Sequence, residues 1–192
     1  MSLLKIALLG PPQVHHRSAR VPFGERKVLA LLAYLAAERG MHTREKLMGL
    51  LWPESDRAHG RSMLRATLLH LRQVLEEETP PEQISHLLIT HDALGLDLGS
   101  DIDLDLHALE AVGTLMRALP SPEAVQGEVR CALIAHLERA ARLYRGSFLQ
   151  NLTLRETLDF DNWVCMQQGY WYQQIEQVFD WLSRLQSAAG EV

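Results

Sequence analysis

Three groups of side chains in this sequence could carry chemistry, and two of them dissolve on inspection. Asp101-Ile102-Asp103-Leu104-Asp105 alternates carboxylates in the way a calcium loop begins. The loop is not completed: its sixth position is Leu106 where the sharp turn needs glycine, and its twelfth is Val112 where a bidentate glutamate belongs. The plainer reading is a linking strand that runs into a helix cap. His15 and His16 are adjacent, and successive side chains on a strand point to opposite faces, so they read as surface histidines and not as a chelating pair. The third group is a set of arginines, Arg61, Arg65 and Arg72, in a stretch of helical periodicity. A guanidinium is a rigid fork that can hold phosphate oxygens, or the O6 and N7 acceptors of guanine, through paired hydrogen bonds. The sequence has no Gly-rich phosphate loop followed by Lys-Ser/Thr, no Gly-x-Ser-x-Gly and no His-Glu-x-x-His. An enzyme is not expected, nor a cofactor, nor a metal.

The arginines sit on a helix whose core stripe is legible. Leu64, Leu68, Leu71 and Leu75 step by four, three and four and share one face. At about 100° per residue from Leu64, Arg61 falls near 60°, Arg72 near 80° and Arg65 near 100°. The three guanidinium groups therefore share one edge, with Ser62, Ala66 and His70 further round, away from the core. Ser55 and Asp56 begin this helix, and Glu76-Glu77-Glu78 with Pro80-Pro81 break it.

Earlier elements place that helix third. Leu4 to Gly10 reads as a strand, with Gln13 to Arg17 and Arg20 to Phe23 as candidate partners. Val28, Leu31, Leu32 and Leu35 recur at helical spacing between Gly24 and Gly40. Thr43 can cap a second helix with Leu47, Leu50, Leu51 and Trp52 on its apolar face, ended by Pro53. Ile84 to Thr90 and Leu94 to Leu98 then read as two strands around His91-Asp92, a hairpin wing. Three helices and a hairpin, the third helix basic, match a winged helix-turn-helix, in which the third helix enters the major groove.

Charge agrees with this placement. Residues 1 to 75 hold 12 Lys+Arg against 5 Asp+Glu, a balance of +7, while 76 to 192 hold 7 against 19, a balance of −12. A basic head on an acidic body suits a duplex-binding domain with a separate second domain, though two domains that simply differ in surface composition would give the same counts. At 192 residues the chain holds one full domain or two small ones. Its two cysteines, Cys131 and Cys165, make no disulfide framework or zinc spacing, which suits a reducing compartment. The opening apolar run is interrupted by Lys5 and stopped by Gly10-Pro11-Pro12, too short for a signal peptide or a membrane span, so the chain is expected to be cytoplasmic with no membrane contact.

The second half reads as helical: Asp105 to Leu119, then a break at Pro120-Ser121-Pro122, then Val125 to Tyr144, and finally Asp161 to Ser187. The last segment is dense in aromatic residues, Trp163, Tyr170, Trp171, Phe179 and Trp181. They read as core, with an uncovered flank that favours self-association or partner docking.

Several blocks resemble the SARP-type bacterial transcriptional activators: Leu8-Leu9-Gly10, Leu31-Leu32-Ala33-Tyr34-Leu35-Ala36, His42-Thr43-Arg44-Glu45-Lys46-Leu47 and Leu51-Trp52-Pro53. Arg61 through Leu64-Arg65, followed by Leu71-Arg72 and Leu75, is similar to the family's recognition helix, itself like the OmpR-type winged helix. Ala140 to Leu149, with Trp163 downstream, resembles the bacterial transcriptional activator domain. The resemblance implies a mainly α fold with small β: a winged helix-turn-helix over 1–100 and a tetratricopeptide-like helical domain over 101–192, cut short where the family continues with further helices. It implies a sequence-specific activator of transcription whose partners are double-stranded DNA, RNA polymerase, and a second copy held through the helical domain. Ala93-Leu94-Gly95-Leu96 stands where the family's wing carries Gly-Tyr, so no tyrosine contact carries over. The expected DNA contacts are Arg61 and Arg65 at base edges or adjacent phosphates, Arg72 as a backbone clamp, Arg44 on a phosphate at the start of the second helix, and Ser62, Thr67 and His70 as secondary contacts. The rival expectation is a helical interaction module whose winged helix binds a protein.

Overall fold

The computed structural model describes residues 4–16, 18–76, 86–99 and 101–187. It is mainly α-helical with two small sheets. The elements are β1 Leu4–Ala7, β2 Gln13–His16, β3 Ala19–Arg20, α1 Arg26–Ala37, β4 His42–Thr43, α2 Arg44–Leu51, α3 Arg57–Glu76, β5 Leu87–Ile89, β6 Ala93–Leu96, β7 Ile102–Leu104, α4 Asp105–Ala118, a short 3₁₀ turn Pro122–Ala124, α5 Gly127–Leu143 and α6 Leu158–Ser187. The chain divides into two compact units, one of residues 1–6, 13–103 and 151–164, the other of 7–12, 104–150 and 165–192.

In the first unit, one sheet has the strand order β3-β2-β1-β7 and the other β4-β6-β5. Leu4, Ile6 and Val14 are buried from the strands, and Val28, Leu31, Leu32 and Leu35 from α1. The expected stripe of α3 is the buried one: Leu64, Leu68, Leu71 and Leu75 are all in the core, where α3 packs on α1 and α2. Burying such side chains contributes about 1.5–3 kcal/mol each, and so holds α3 with its opposite face in solvent. α3 starts where expected, since the Asp56 carboxylate accepts from the amides of Ala58 and His59, both at 2.9 Å. These two bonds favour the ionised form and hold the Asp56 carboxyl below its ordinary pKa.

The strands are shorter than the sequence suggests: β1 stops at Ala7, and β3 occupies Ala19–Arg20 instead of Arg20 to Phe23. The hairpin strands are Leu87–Ile89 and Ala93–Leu96, and the expected extension through Ile84 and the break at Glu77 to Pro81 lie outside the described residues. An additional strand, β4, pairs with β6 through His42↔Leu94 and Thr43↔Ala93 and makes the hairpin three-stranded. In α2 it is Leu47, Met48 and Leu51 that are buried, whereas Leu50 is half-buried.

In the second unit α4 and α5 pack on each other, and Leu106, Leu109, Val112 and Met116 of α4 and Leu133, Leu137 and Ala140 of α5 are buried. A Cβ on Gly113 of α4 would stand 3.3 Å from Gln174 Oε1 of α6. Asp105, at the start of α4, is buried, and its Oδ2 accepts from the amides of Leu8 at 2.7 Å and Leu9 at 2.8 Å. It thus ties the segment after β1 to α4. Burial pushes its carboxyl above the ordinary pKa, opposed by those two amides and by the Arg145 charge. Along α6, Trp163 and Trp171 are buried, but Tyr170 and Phe179 are exposed and Trp181 is half-buried, so only part of the aromatic run is core. α6 begins at Leu158, three residues earlier than the spacing suggests. Among the described residues no helix is long and apolar enough to cross a membrane.

Candidate nucleic-acid interface

The exposed side of α3 adjoins the start of α2 and the tip of the hairpin. Three local features join them. β4 runs straight into α2, so its pairing with β6 fixes the hairpin to the helix N-terminus. Thr43 caps α2, its Oγ1 accepting from the Lys46 amide at 3.2 Å. Arg44 then grips the hairpin turn: its backbone N–H donates to the Asp92 carbonyl at 2.9 Å, and its Nη2 donates to the Thr90 carbonyl at 3.2 Å. The turn is closed by Thr90, whose Oγ1 accepts from the Ala93 amide at 3.0 Å.

Between these elements lies a groove of about 710 Å³ that includes Arg44, Glu45, Arg57, Arg61, Arg65 and His91. Four guanidinium groups converge there against few acids. Glu45 is ion-paired to Arg57, and Asp92 Oδ1 lies 2.6 Å from His91 Nδ1, from which it accepts when that nitrogen carries the proton. The Nε of Arg44 is buried and has no hydrogen-bond partner among the described residues.

Of the residues that the sequence points to, Arg61, Ser62, Arg65 and Arg72 are exposed on α3, and Arg44 is half-buried beside the hairpin. Arg61, Arg65 and Arg44 share the groove; Ser62 and Arg72 are outside its lining. Two positions differ. Thr67 is only 4% exposed, because at about 300° from Leu64 it falls on the shoulder of the core stripe and not on the solvent face. Its hydroxyl is not displayed for a duplex. His70 is half-buried and turns toward α1, its Nδ1 3.7 Å from Glu25 Oε1, so it belongs to the flank opposite the arginines.

Three residues escaped the sequence reading. Arg57 precedes Arg61 and Arg65 by successive steps of four and lines the same groove, a spacing that could have revealed it. His91 enters through the fold of the hairpin, which no spacing discloses. Leu69 is 59% exposed, at about 140° from Leu64, on the crest of the solvent face with Ser62 and Ala66.

No protein-family model and no curated protein matches the sequence. In fold, 99% of the chain is similar to Mycobacterium tuberculosis EmbR, in a structure of that protein in complex with a low-affinity phosphopeptide, with a TM-score of 0.77 and 22% sequence identity. The match covers 47% of the EmbR chain, so this chain spans about half the length of that protein. The likeness is one of fold, a winged helix joined to a helical domain.

Proposed function

From a fold shared with a winged-helix protein and a basic helix exposed at its surface, we propose that this chain is a DNA-binding transcriptional regulator of the SARP type. It acts in the cytoplasm, by recognition and not by catalysis. The observation that carries the reading is the convergence of Arg44, Arg57, Arg61 and Arg65 at one groove beside the exposed face of α3. The core stripe leaves that face free, a helix of about 10–12 Å fits a major groove about 12 Å wide, and arginine is the side chain best suited to both guanine edges and phosphates.

In this reading α3 lies in the major groove. Arg61 and Arg65 reach base edges or the adjoining phosphates, and Ser62 is a secondary contact from the crest. Leu69 offers an apolar contact for a thymine methyl group. Arg44 acts chiefly by positioning the hairpin turn, which brings His91 to the backbone, while Arg72 clamps a phosphate further along. The helical domain supports a second copy or RNA polymerase, which makes the regulator an activator.

The test is a salt titration of the chain on fluorescent duplexes from its own promoter region, beside an Arg61→Ala/Arg65→Ala variant. Affinity should fall steeply with salt, and the variant should bind more weakly with a shallower slope. A folded wild-type chain that ignores every duplex at low salt would point instead to a winged helix that binds protein.

A further inference from the structure

α3 has a second flank, and it too faces a groove edged by cations. Met63, Thr67 and His70 stand at about 240° to 300° from Leu64, across the crest from the arginines. Beside Met63 and Thr67, the groove of about 500 Å³ is bounded by Arg26 and Lys27 at the start of α1, by Trp52 after α2, and by Arg155. Arg26 Nη1 donates to the Thr153 carbonyl at 3.2 Å and to its Oγ1 at 3.3 Å, which holds the segment bearing Arg155 against α1. Lys27 Nζ stands 5.2 Å from the centre of the Trp52 ring. The acid in the lining is Glu25, which faces His70.

A buried donor marks each groove. Arg44 Nε belongs to a residue of the first and Trp52 Nε1 to a residue of the second; both are buried without a hydrogen-bond partner among the described residues. An unsatisfied buried N–H is costly, and a phosphate oxygen is one acceptor that would relieve it. A helix that fills the major groove has one phosphate strand along each flank. We propose that Arg26, Lys27 and Arg155 seat a phosphate of the DNA strand opposite the one met by His91 of the hairpin turn, so that α3 is clamped from both sides. This rests on the DNA reading above and adds a contact to it. Burial, opposed by the pull of Glu156, lowers the Lys27 pKa, so a phosphate there would return the charge to favourable company.

Two measurements test it. The first is the slope of log Kd against log salt on a duplex of arbitrary sequence, since phosphate contacts ignore sequence. Lys27→Met/Arg155→Gln should lower that slope by about 0.9, the value for one phosphate, and weaken operator and scrambled duplexes by the same factor. The second uses the wild-type chain and needs no variant to fold. The chain has three lysines, so acetylation read by mass spectrometry can follow Lys27 against Lys5, which pairs with Asp103 on another strand. Duplex should protect Lys27 and leave Lys5 reactive, and inorganic phosphate at the same phosphate concentration should protect neither. Binding with the wild-type slope by the double variant, together with a Lys27 that stays reactive in the complex, overturns the second seat while leaving α3 as the reading head. Protection by inorganic phosphate alone would make the groove a small-anion site and overturn it equally. A wild-type chain that binds no duplex removes the DNA reading first and this seat with it.

Discussion

Leu69 exposes 59% of its surface on the face of α3 that the arginines flank, where a soluble helix ordinarily places a polar residue. If it meets a thymine methyl, Leu69→Ala should cost about 1 kcal/mol of operator binding, and replacing the contacted thymine by uracil should cost the wild-type chain the same while costing the variant nothing. Fluorescence anisotropy on matched thymine and uracil duplexes measures both. Arg65 makes a different demand. Arg65→Ala should cost about 1–3 kcal/mol and relax preference at one base pair, whereas an equal loss on all sequences would make it a phosphate contact. At this scale the arginine edge was legible, because Leu64, Leu68, Leu71 and Leu75 announce their face and every other angle follows from it. Thr67 was not: a threonine beside the core stripe looks polar in sequence, and only packing decides that it is buried.

The elements carry their own tests. β6 passes so near the loop before β4 that a Cβ on Gly95 would stand 2.7 Å from the Gly40 carbonyl oxygen and 2.8 Å from Met41 Sδ. Gly95→Ala should therefore destabilise the chain by about 1–3 kcal/mol in urea unfolding, and it should weaken DNA binding by displacing the hairpin. Two helix starts respond to pH in opposite senses. Asp56 has a lowered pKa, so its contribution is present above the ordinary carboxylate pKa and lost as pH falls through the lowered one. Asp105 has a raised pKa, so its contribution is present below the ordinary value and lost as pH rises through the raised one. Asn caps a helix as Asp does but does not titrate. Across about pH 3 to 7, Asp56→Asn should reduce the loss of urea midpoint on acidification, and Asp105→Asn should reduce the loss on raising the pH. The long helices were legible because ten or more residues display a period; β4 was not, since two residues have none, and its existence depends on pairing with β6.

For the whole molecule, the sequence suggests a division in chain order, at residue 100, whereas the compact units draw on segments far apart in the chain, 151–164 in the first and 7–12 in the second. Residues 7–12 read as the end of a strand, yet they are tied down by long-range bonds: Gly10 donates to Ser147 at 3.1 Å, and Arg145 donates to Leu9 at 3.0 Å. Local pattern cannot report such ties, which form between residues more than a hundred positions apart. The charge division of +7 and −12 was legible from counting alone.

The Arg44 hook on the hairpin turn has a calorimetric consequence. With the turn already fastened to α2 through Thr90 and Asp92, DNA binding under the proposed function would not have to organise it. Titration calorimetry at several temperatures should then give a heat-capacity change close to that of two rigid surfaces meeting, without the large negative excess of coupled folding. Arg44→Ala should restore that excess.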